Sequence, residues 1–437
     1  MAYETAAVRA SSGDRSESTS RGDETRSTVV PDGTSGGDEG TMTEGATVDR
    51  RLSGLLVLTA FVLAAINLRP AIASVPPVLE VIRADLALSY TAVSLLTTIP
   101  MFCMGLFAFL TPRVARYGRE RGLFWAIVFV GLATAARIAG HSTAVLFATT
   151  VVVGIAIAVG QTLLPALVGE YFPERTAFAT GVYSISLAIG AILAAGFAAP
   201  IYQFANSWTL SLAVWSLLAV LAAVVLVPLV REGDDRPGKS SDGRRRLPWR
   251  SPLAWSVTLF FVGTSTIFYS GLTWLAPRYV ALGWTETSAG FLLTVFLLAQ
   301  PIGMGLFTLL GDRFDDRRPW ILGMGAITAV GAIAIALAPH LSPWLVVIAL
   351  GTGSGGLFAI ALTLPVDLAP DGQATDRLAT MAMGIGYVIS AFGPSIVGSV
   401  RDLTGSYVPS FVALCVVSVF LVILGTAFEP ARTGTID

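Results

Sequence analysis

Twelve long apolar segments follow one another along this chain of 437 residues. Each has about the twenty residues that an α-helix needs to cross a bilayer, and the longer ones allow a tilted helix. Charged breaks or breaks rich in Gly and Pro separate the segments. The predicted spans are 53–79, 88–110, 122–140, 144–168, 178–200, 207–230, 252–277, 286–310, 320–338, 343–367, 378–400 and 406–428.

The composition agrees with this interpretation. Apolar residues make up 54% of the chain and charged residues 13%, about half the charged share of a soluble domain. These figures exclude a cytosolic enzyme, a nucleic-acid-binding protein and a disulfide scaffold. Cys103 and Cys415 lie in apolar segments, where cysteine packs as a small hydrophobe, and two histidines are too few for a metal cluster. We therefore predict an all-α integral membrane protein that interacts with lipid and has no metal or cofactor.

The distribution of Lys and Arg predicts the orientation. An even number of spans places both termini on one side, and the loops assigned to the cytoplasm after residue 51 hold 17 Lys and Arg. The outer connections hold Arg83, Arg278 and Arg401, and we expect Arg137, near the outer end of span 3, to snorkel to that surface. We therefore predict a multi-pass protein of the inner cell membrane whose two termini are both on the cytoplasmic side. The polar residues 1–50 are predicted to be a disordered tail, within which Met42 is a candidate translation start.

The two halves of the chain repeat at an offset of 200 residues. The tetrapeptide at 104–107 recurs at 304–307, and Leu-Pro at 164–165 recurs at 364–365. Because six spans separate the copies, they share one orientation, as in a parallel repeat. This predicts two six-helix bundles, 51–230 and 251–430, joined by a cytoplasmic linker, 231–250. That architecture resembles the major facilitator superfamily.

The linker contains one misleading motif, because residues 233–240 (GDDRPGKS) match the letters of a phosphate-binding P-loop. The P-loop mechanism needs a preceding strand and a following helix, and here a membrane span precedes the motif. Asp234 and Asp235 would also repel phosphate. We interpret the segment as a basic linker near anionic lipid.

Arg69 is the charge predicted to lie nearest the bilayer centre. It follows the midpoint of span 1 by about 4–5 Å, where a charge costs roughly 2.5–3.5 kcal/mol. Pro70 removes a backbone donor and is expected to disturb the helix beside Asn67. Glu80 and Asp367 are both distant from the centre. Arg69 is therefore a candidate anion-binding residue, with a permanent structural contact as the alternative.

Polar and aromatic side chains at mid-span are further candidates. Gln161, Tyr269, Trp274 and Gln300 are expected to shape a cavity, with helix packing as the alternative for each. Tyr183 and Tyr387 are also at mid-span. The loop 311–318 resembles a conformational latch of the superfamily, with Asp312, Arg313 and Arg317 as its candidate residues. The alternative is that these arginines only set the membrane topology. The matching loop after span 2 has Ala115 at the acidic position, so the latch is predicted in the second half alone.

Asn67-Leu68-Arg69-Pro70, with the segment 82–86 (IRADL), resembles the cyanate permease and 2-nitroimidazole transporter family. One departure is Met383, where that family often has Gln. The resemblance implies a secondary carrier for a small polar or anionic molecule, with Arg69 as the candidate anion contact. We expect transport by alternating access, with Arg69 and Asn67 holding the substrate.

Other functions are also compatible with twelve spans. The alternatives are a multidrug-type exporter of amphipathic compounds and a non-transporting receptor. An enzyme would need clusters of His, Asp or Glu within the spans. The expected partners are a small-molecule substrate and either a coupling proton or a counter-anion, with the protein as a monomer. The sequence leaves the substrate and the transport direction open.

Overall fold

The computed structural model describes residues 42–107, 111–233, 247–311, 316–426 and 428. Residues 1–41 of the predicted tail and residues 234–246 of the predicted linker lie outside the described residues. The helix Met42–Asn67 includes residues 42–50, the last residues of the predicted tail.

Regular structure in the described residues is entirely helical, and twelve helices are long and apolar enough to cross a membrane. The all-α prediction is therefore confirmed. Large apolar side chains such as Leu217, Val330 and Ile423 are more than 60% exposed, as expected for surfaces that face lipid. Spans 1 to 12 are Gly54–Asp85, Tyr90–Phe107, Arg119–Ala139, Thr143–Tyr171, Phe178–Ala205, Trp208–Arg231, Pro252–Val280, Glu286–Leu310, Arg318–Leu337, Pro343–Leu368, Gly372–Thr404 and Val408–Gly425.

Three of the spans contain more than one α-helix. Span 1 continues after Asn67 as Pro70–Ala73, the 3₁₀ turn Pro76–Val78 and Leu79–Asp85, and so runs beyond its predicted end at residue 79. Pro70 and Pro76 are the first residues of two of these pieces, since proline fits the first turn of a helix and breaks a helix interior. Span 6 combines Trp208–Ala213 with Ser216–Gly233, and span 11 combines Gly372–Ser390 with Phe392–Thr404.

The connections after the odd-numbered spans meet at one end of the helices, which we call the predicted outer face. There Asp85, at the end of span 1, accepts hydrogen bonds from Trp208 Nε1 at 2.9 Å and contacts His141 Nδ1 at 3.0 Å. In spans 7–12, the Tyr279 hydroxyl donates to the Pro339 carbonyl at 3.2 Å. These contacts join span ends within each half of the chain, where spans 1–6 form the first half and spans 7–12 the second.

Spans 2 and 11 connect the two halves at this face. The Asp402 carboxylate accepts hydrogen bonds from the Tyr90 N–H at 2.8 Å and from the Thr91 N–H at 2.7 Å. It thereby caps the positive end of span 2. We call this region, residues 89–98 with 273 and 395–402, the outer contact. Its other cross-half hydrogen bonds join Thr91 Oγ1 to Asp402 and Ser399, Ser94 and Thr98 to Ser395, and Thr273 to Thr97.

A partly buried hydrogen bond adjoins the outer contact. Glu80 of span 1 accepts a hydrogen bond from the Tyr407 hydroxyl at 2.9 Å. Tyr407 precedes span 12, and its burial raises the pKa of its phenol, so it remains a donor throughout the physiological pH range. Arg83 bonds the same carboxylate group at 2.9 Å and lies over the Tyr90 ring at 4.3 Å. The halves are therefore closed against each other at the predicted outer face.

Candidate functional site

The centre of the candidate site is the break in span 1. The helix ends at Asn67 and a new one begins at Pro70, as the sequence predicts. Proline has no N–H, so the Ile66 carbonyl loses its usual donor four residues ahead. Span 5 approaches this carbonyl so closely that a Cβ atom on Gly190 would clash with it.

Polar atoms at this break have no partner among the residues that the structure describes. Arg69 is half-buried, and its guanidinium forms no ion pair with any described carboxylate. Asn67 is 2% exposed, and its Oδ1 atom accepts no hydrogen bond from the described chain. Buried polar groups are normally satisfied, so an unpaired charge beside an unpaired amide is a departure that suggests ligand binding.

Span 4 brings a second amide to the break. A Cβ atom on Gly160 would lie 3.0 Å from Leu68 Cδ2, so spans 1 and 4 are in close contact at this level. Gln161 follows directly, and its Oε1 atom is buried without a partner in the described chain. Asn67, Arg69 and Gln161 therefore provide one charge and two amides from two neighbouring helices.

The second half contributes two phenols. The hydroxyl of Tyr387 in span 11 lies within electrostatic reach of the Arg69 guanidinium and of the Tyr269 hydroxyl. The ring centroids of Tyr269 and Tyr387 are 6.4 Å apart. The sequence identified Tyr387 as a mid-span residue but did not place it with Arg69.

Two other candidate residues make packing contacts, the alternative that the sequence left open. Gln300 donates from Nε2 to Ser354 Oγ at 2.8 Å, which joins spans 8 and 10. Trp274 is fully buried and donates from its indole N–H to the Pro394 carbonyl at 2.8 Å. Its ring lies 5.8 Å from the Tyr407 ring, near the predicted outer face. For both residues, a contact with substrate stays a prediction.

The expectation that Arg137 snorkels to the outer surface is wrong. Its side chain has no exposed area, and Nη1 donates to the Ala71 carbonyl at 2.7 Å. A second contact joins Nη2 to Thr150 Oγ1 at 3.5 Å. The guanidinium points into the first half because the broken span 1 offers a carbonyl there, and because Arg137 stands at the negative end of its own helix.

The candidate latch is only partly within the described residues. Asp312 and Arg313 lie outside them. Arg317 bonds Asp367 Oδ2 at 3.1 Å and the Gly311 carbonyl at 2.8 Å, which links the ends of spans 8 and 10.

The first half has a corresponding ion pair that the sequence analysis missed. Arg119 Nη1 lies 2.9 Å from Glu170 Oε2, joining the start of span 3 to the end of span 4. The acidic partner comes from span 4 and not from the loop, so the presence of Ala115 in the loop does not prevent this contact.

Comparisons with known proteins agree with this architecture. The sequence profile of the Major Facilitator Superfamily matches residues 55–280 and 275–435. The chain is 30% identical to the 2-nitroimidazole transporter of Escherichia coli (strain K12) over 87% of this chain and 97% of the relative. It is 27% identical to the cyanate transport protein CynX of the same strain, over 86% and 98%.

A solved structure shows the same fold. A bacterial homologue of the human lysosomal transporter Spinster, in an inward-facing and occupied conformation, superposes with a TM-score of 0.68 at 17% identity. The alignment covers 88% of this chain and 97% of that one. The twelve helices and these matches define a multi-pass membrane transporter, not an enzyme. The chain belongs to the Major Facilitator Superfamily.

Proposed function

We propose that this protein is a secondary transporter that moves a small polar or anionic solute by alternating access around Arg69. The observation that carries the proposal is the half-buried Arg69 guanidinium, which lacks an ion pair among the described residues at a break in span 1. A charge inside the membrane is costly, and a substrate anion would offset that cost on binding. Midplane sites at interrupted helices are typical of secondary transporters.

The chemistry of the site narrows the substrate class. Arg69 offers forked donors to an oxyanion or a carboxylate. Asn67 and Gln161 have free amide oxygens, which favour a solute that also carries an N–H or O–H donor. Tyr269 and Tyr387 add two hydroxyl groups, and their aromatic rings offer flat apolar surfaces to a planar solute. A small planar anion or weakly acidic heterocycle fits this set, and the cyanate and 2-nitroimidazole transporters among the relatives support that class.

The proposal keeps the wider organisation that the sequence predicts. We propose two six-helix bundles, 51–230 and 251–430, that rock about the site, with 231–250 as the linker between them. Both termini would be cytoplasmic in the inner cell membrane, and the protein would act as a monomer. Asp312, Arg313 and Arg317 would form a latch on the cytoplasmic side. Either a coupling proton or a counter-anion would provide the driving force.

Ligand-dependent stability of the purified protein tests the proposal. A ligand that binds the folded state at one hundred times its Kd adds about 2.7 kcal/mol to the free energy of unfolding. We expect a raised Tm with selected small anions or flat heterocycles. A hydrogen bond to a charged group contributes about 1.5–3 kcal/mol, so Arg69→Ala should weaken binding on the order of 10- to 100-fold. Arg69→Lys should also weaken it, because lysine lacks the planar fork.

The matched control is Arg231→Ala, at an exposed position at the end of span 6. It should leave both the Tm increase and vesicle transport intact. If Arg69→Ala retained full affinity and broad amphipathic compounds were transported, the multidrug-type exporter would replace this proposal.

A further inference from the structure

Arg137 has no place in the substrate-binding chemistry, yet it is among the largest fully buried side chains of the described residues. Its nearest acceptors are the Ala71 carbonyl and Thr150 Oγ1. Its Nε atom has no partner in the described chain. Burying a guanidinium removes its hydration, which costs free energy. We therefore expect the charge of Arg137, or the geometry that its hydrogen bonds impose, to have a function.

The Ala71 carbonyl belongs to the four-residue helix Pro70–Ala73, whose N-cap is Arg69. The Arg69 carbonyl accepts hydrogen bonds from the N–H groups of Ile72 at 3.1 Å and Ala73 at 3.0 Å. A helix this short has too few internal hydrogen bonds to hold its own position. The bond from Arg137 to Ala71 therefore anchors the segment from which the Arg69 side chain extends.

We propose that Arg137 is a positioning residue for Arg69, and that it sets the affinity of the site for anions. This proposal rests on the proposed function. Arg137 holds the segment after the break against spans 3 and 4, and its positive charge adds to the potential that an anion meets in the first half.

The second half contains a matched control. Arg278, at the end of span 7, is also buried, and its Nη2 donates to the Ala336 carbonyl of span 9 at 3.4 Å. Both arginines thus connect the first and third spans of their halves, with donor and acceptor exchanged. Ala336 lies within the continuous helix Arg318–Leu337, so the Arg278 bond does not hold a helix break.

The first experiment measures the apparent KM, the maximal rate and the Tm of Arg137→Gln, Arg137→Lys and Arg278→Gln in reconstituted vesicles. We expect Arg137→Gln to raise KM for the anion about tenfold. Arg137→Lys should recover most of the affinity, since it keeps a charged donor. Arg278→Gln should lower the Tm as much as Arg137→Gln and leave KM unchanged. Equal KM values in Arg137→Gln and Arg278→Gln would overturn the proposal.

A milder substitution covers the case in which Arg137→Gln fails to fold. Thr150→Val removes the second acceptor of Arg137 and keeps the shape of the side chain. It should raise KM severalfold, and an unchanged KM would count against the proposal.

A second readout needs no substrate. In a background without Cys103 and Cys415, Gln161→Cys is labelled with anionic and with cationic thiol reagents of equal size. We expect Arg137→Gln to lower the anionic-to-cationic rate ratio severalfold and Arg278→Gln to leave it unchanged. If this ratio shifts while the wild-type protein binds no anion, the proposed function fails and the positioning role stands. If Arg137→Gln leaves the ratio unchanged, the positioning role is wrong.

Discussion

Glutamine side chains at mid-span have different environments in the two halves of the chain. Gln161 in the first half has a buried oxygen without a partner in the described chain, whereas Gln300 in the second half bonds Ser354 at 2.8 Å. Both are glutamines within long apolar helices, so composition does not distinguish them. In the first half, unsatisfied groups remain available to a ligand at a cost in stability. In the second half, the same side chain contributes to helix packing.

Two close glycine contacts, one in each half, have different surroundings. In the second half, a Cβ atom on Gly303 or Gly355 would clash with the backbone of the neighbouring span, so glycine lets spans 8 and 10 pack closely over a continuous stretch. In the first half, Gly190 of span 5 faces the Ile66 carbonyl at the break in span 1. The close contact at Gly190 is thus with an interrupted helix, whereas the contacts at Gly303 and Gly355 are between continuous helices.

The largest expected effect is that of Gly190→Ala. The added Cβ would meet a backbone oxygen that cannot move without shifting span 1, so we expect a loss of more than about 3 kcal/mol in the free energy of unfolding. Gly181→Ala, on the same helix with nothing within 4 Å of the added atom, is the control and should be nearly neutral. Thermal unfolding in detergent measures both. Equal Tm values for the two variants would show that span 5 does not support the break.

We expect effects of intermediate size from two glutamine substitutions, one of which should change substrate affinity and the other stability. Gln161→Leu should lower substrate affinity about tenfold and leave the Tm unchanged or raised, because it removes an unsatisfied buried acceptor. Gln300→Leu should lower the free energy of unfolding by about 1 kcal/mol, because Ser354 loses its donor, and leave affinity unchanged. The contrast between the halves would be wrong if Gln300→Leu weakened binding as much as Gln161→Leu.

The sequence predicted the features that depend on local chemistry. Segment length and apolarity sufficed for twelve spans, and the missing N–H of Pro70 sufficed for the break beside Arg69. The burial of Arg137 was not predictable, because its acceptor is a carbonyl of another span and hydropathy places it near a helix end. The different environments of Gln161 and Gln300 likewise depend on which neighbouring span carries a partner.

The smallest expected effect concerns Asp402, through which the outer contact joins the two halves. Its carboxylate accepts from two N–H groups and from Thr91 Oγ1 at 2.6 Å. Asp402→Asn removes the charge and one acceptor. Because the site is exposed, we expect a cost of about 1 kcal/mol, which shifts the population toward a state open at the predicted outer face by about fivefold. Asp85→Asn is the control, since the bonds of Asp85 to His141 and Trp208 stay within the first half.

Cysteine labelling from the predicted outer side reads out this shift, in a background without Cys103 and Cys415. With Asp402→Asn, a cysteine at position 161 should react about fivefold faster, because the candidate site becomes accessible. A cysteine at position 300 should keep its rate, since spans 8 and 10 stay packed within their half. Asp85→Asn should change neither rate. Faster labelling at both positions would mean that the second half loosens together with the outer contact, and the distinction between a binding half and a packing half would then fail.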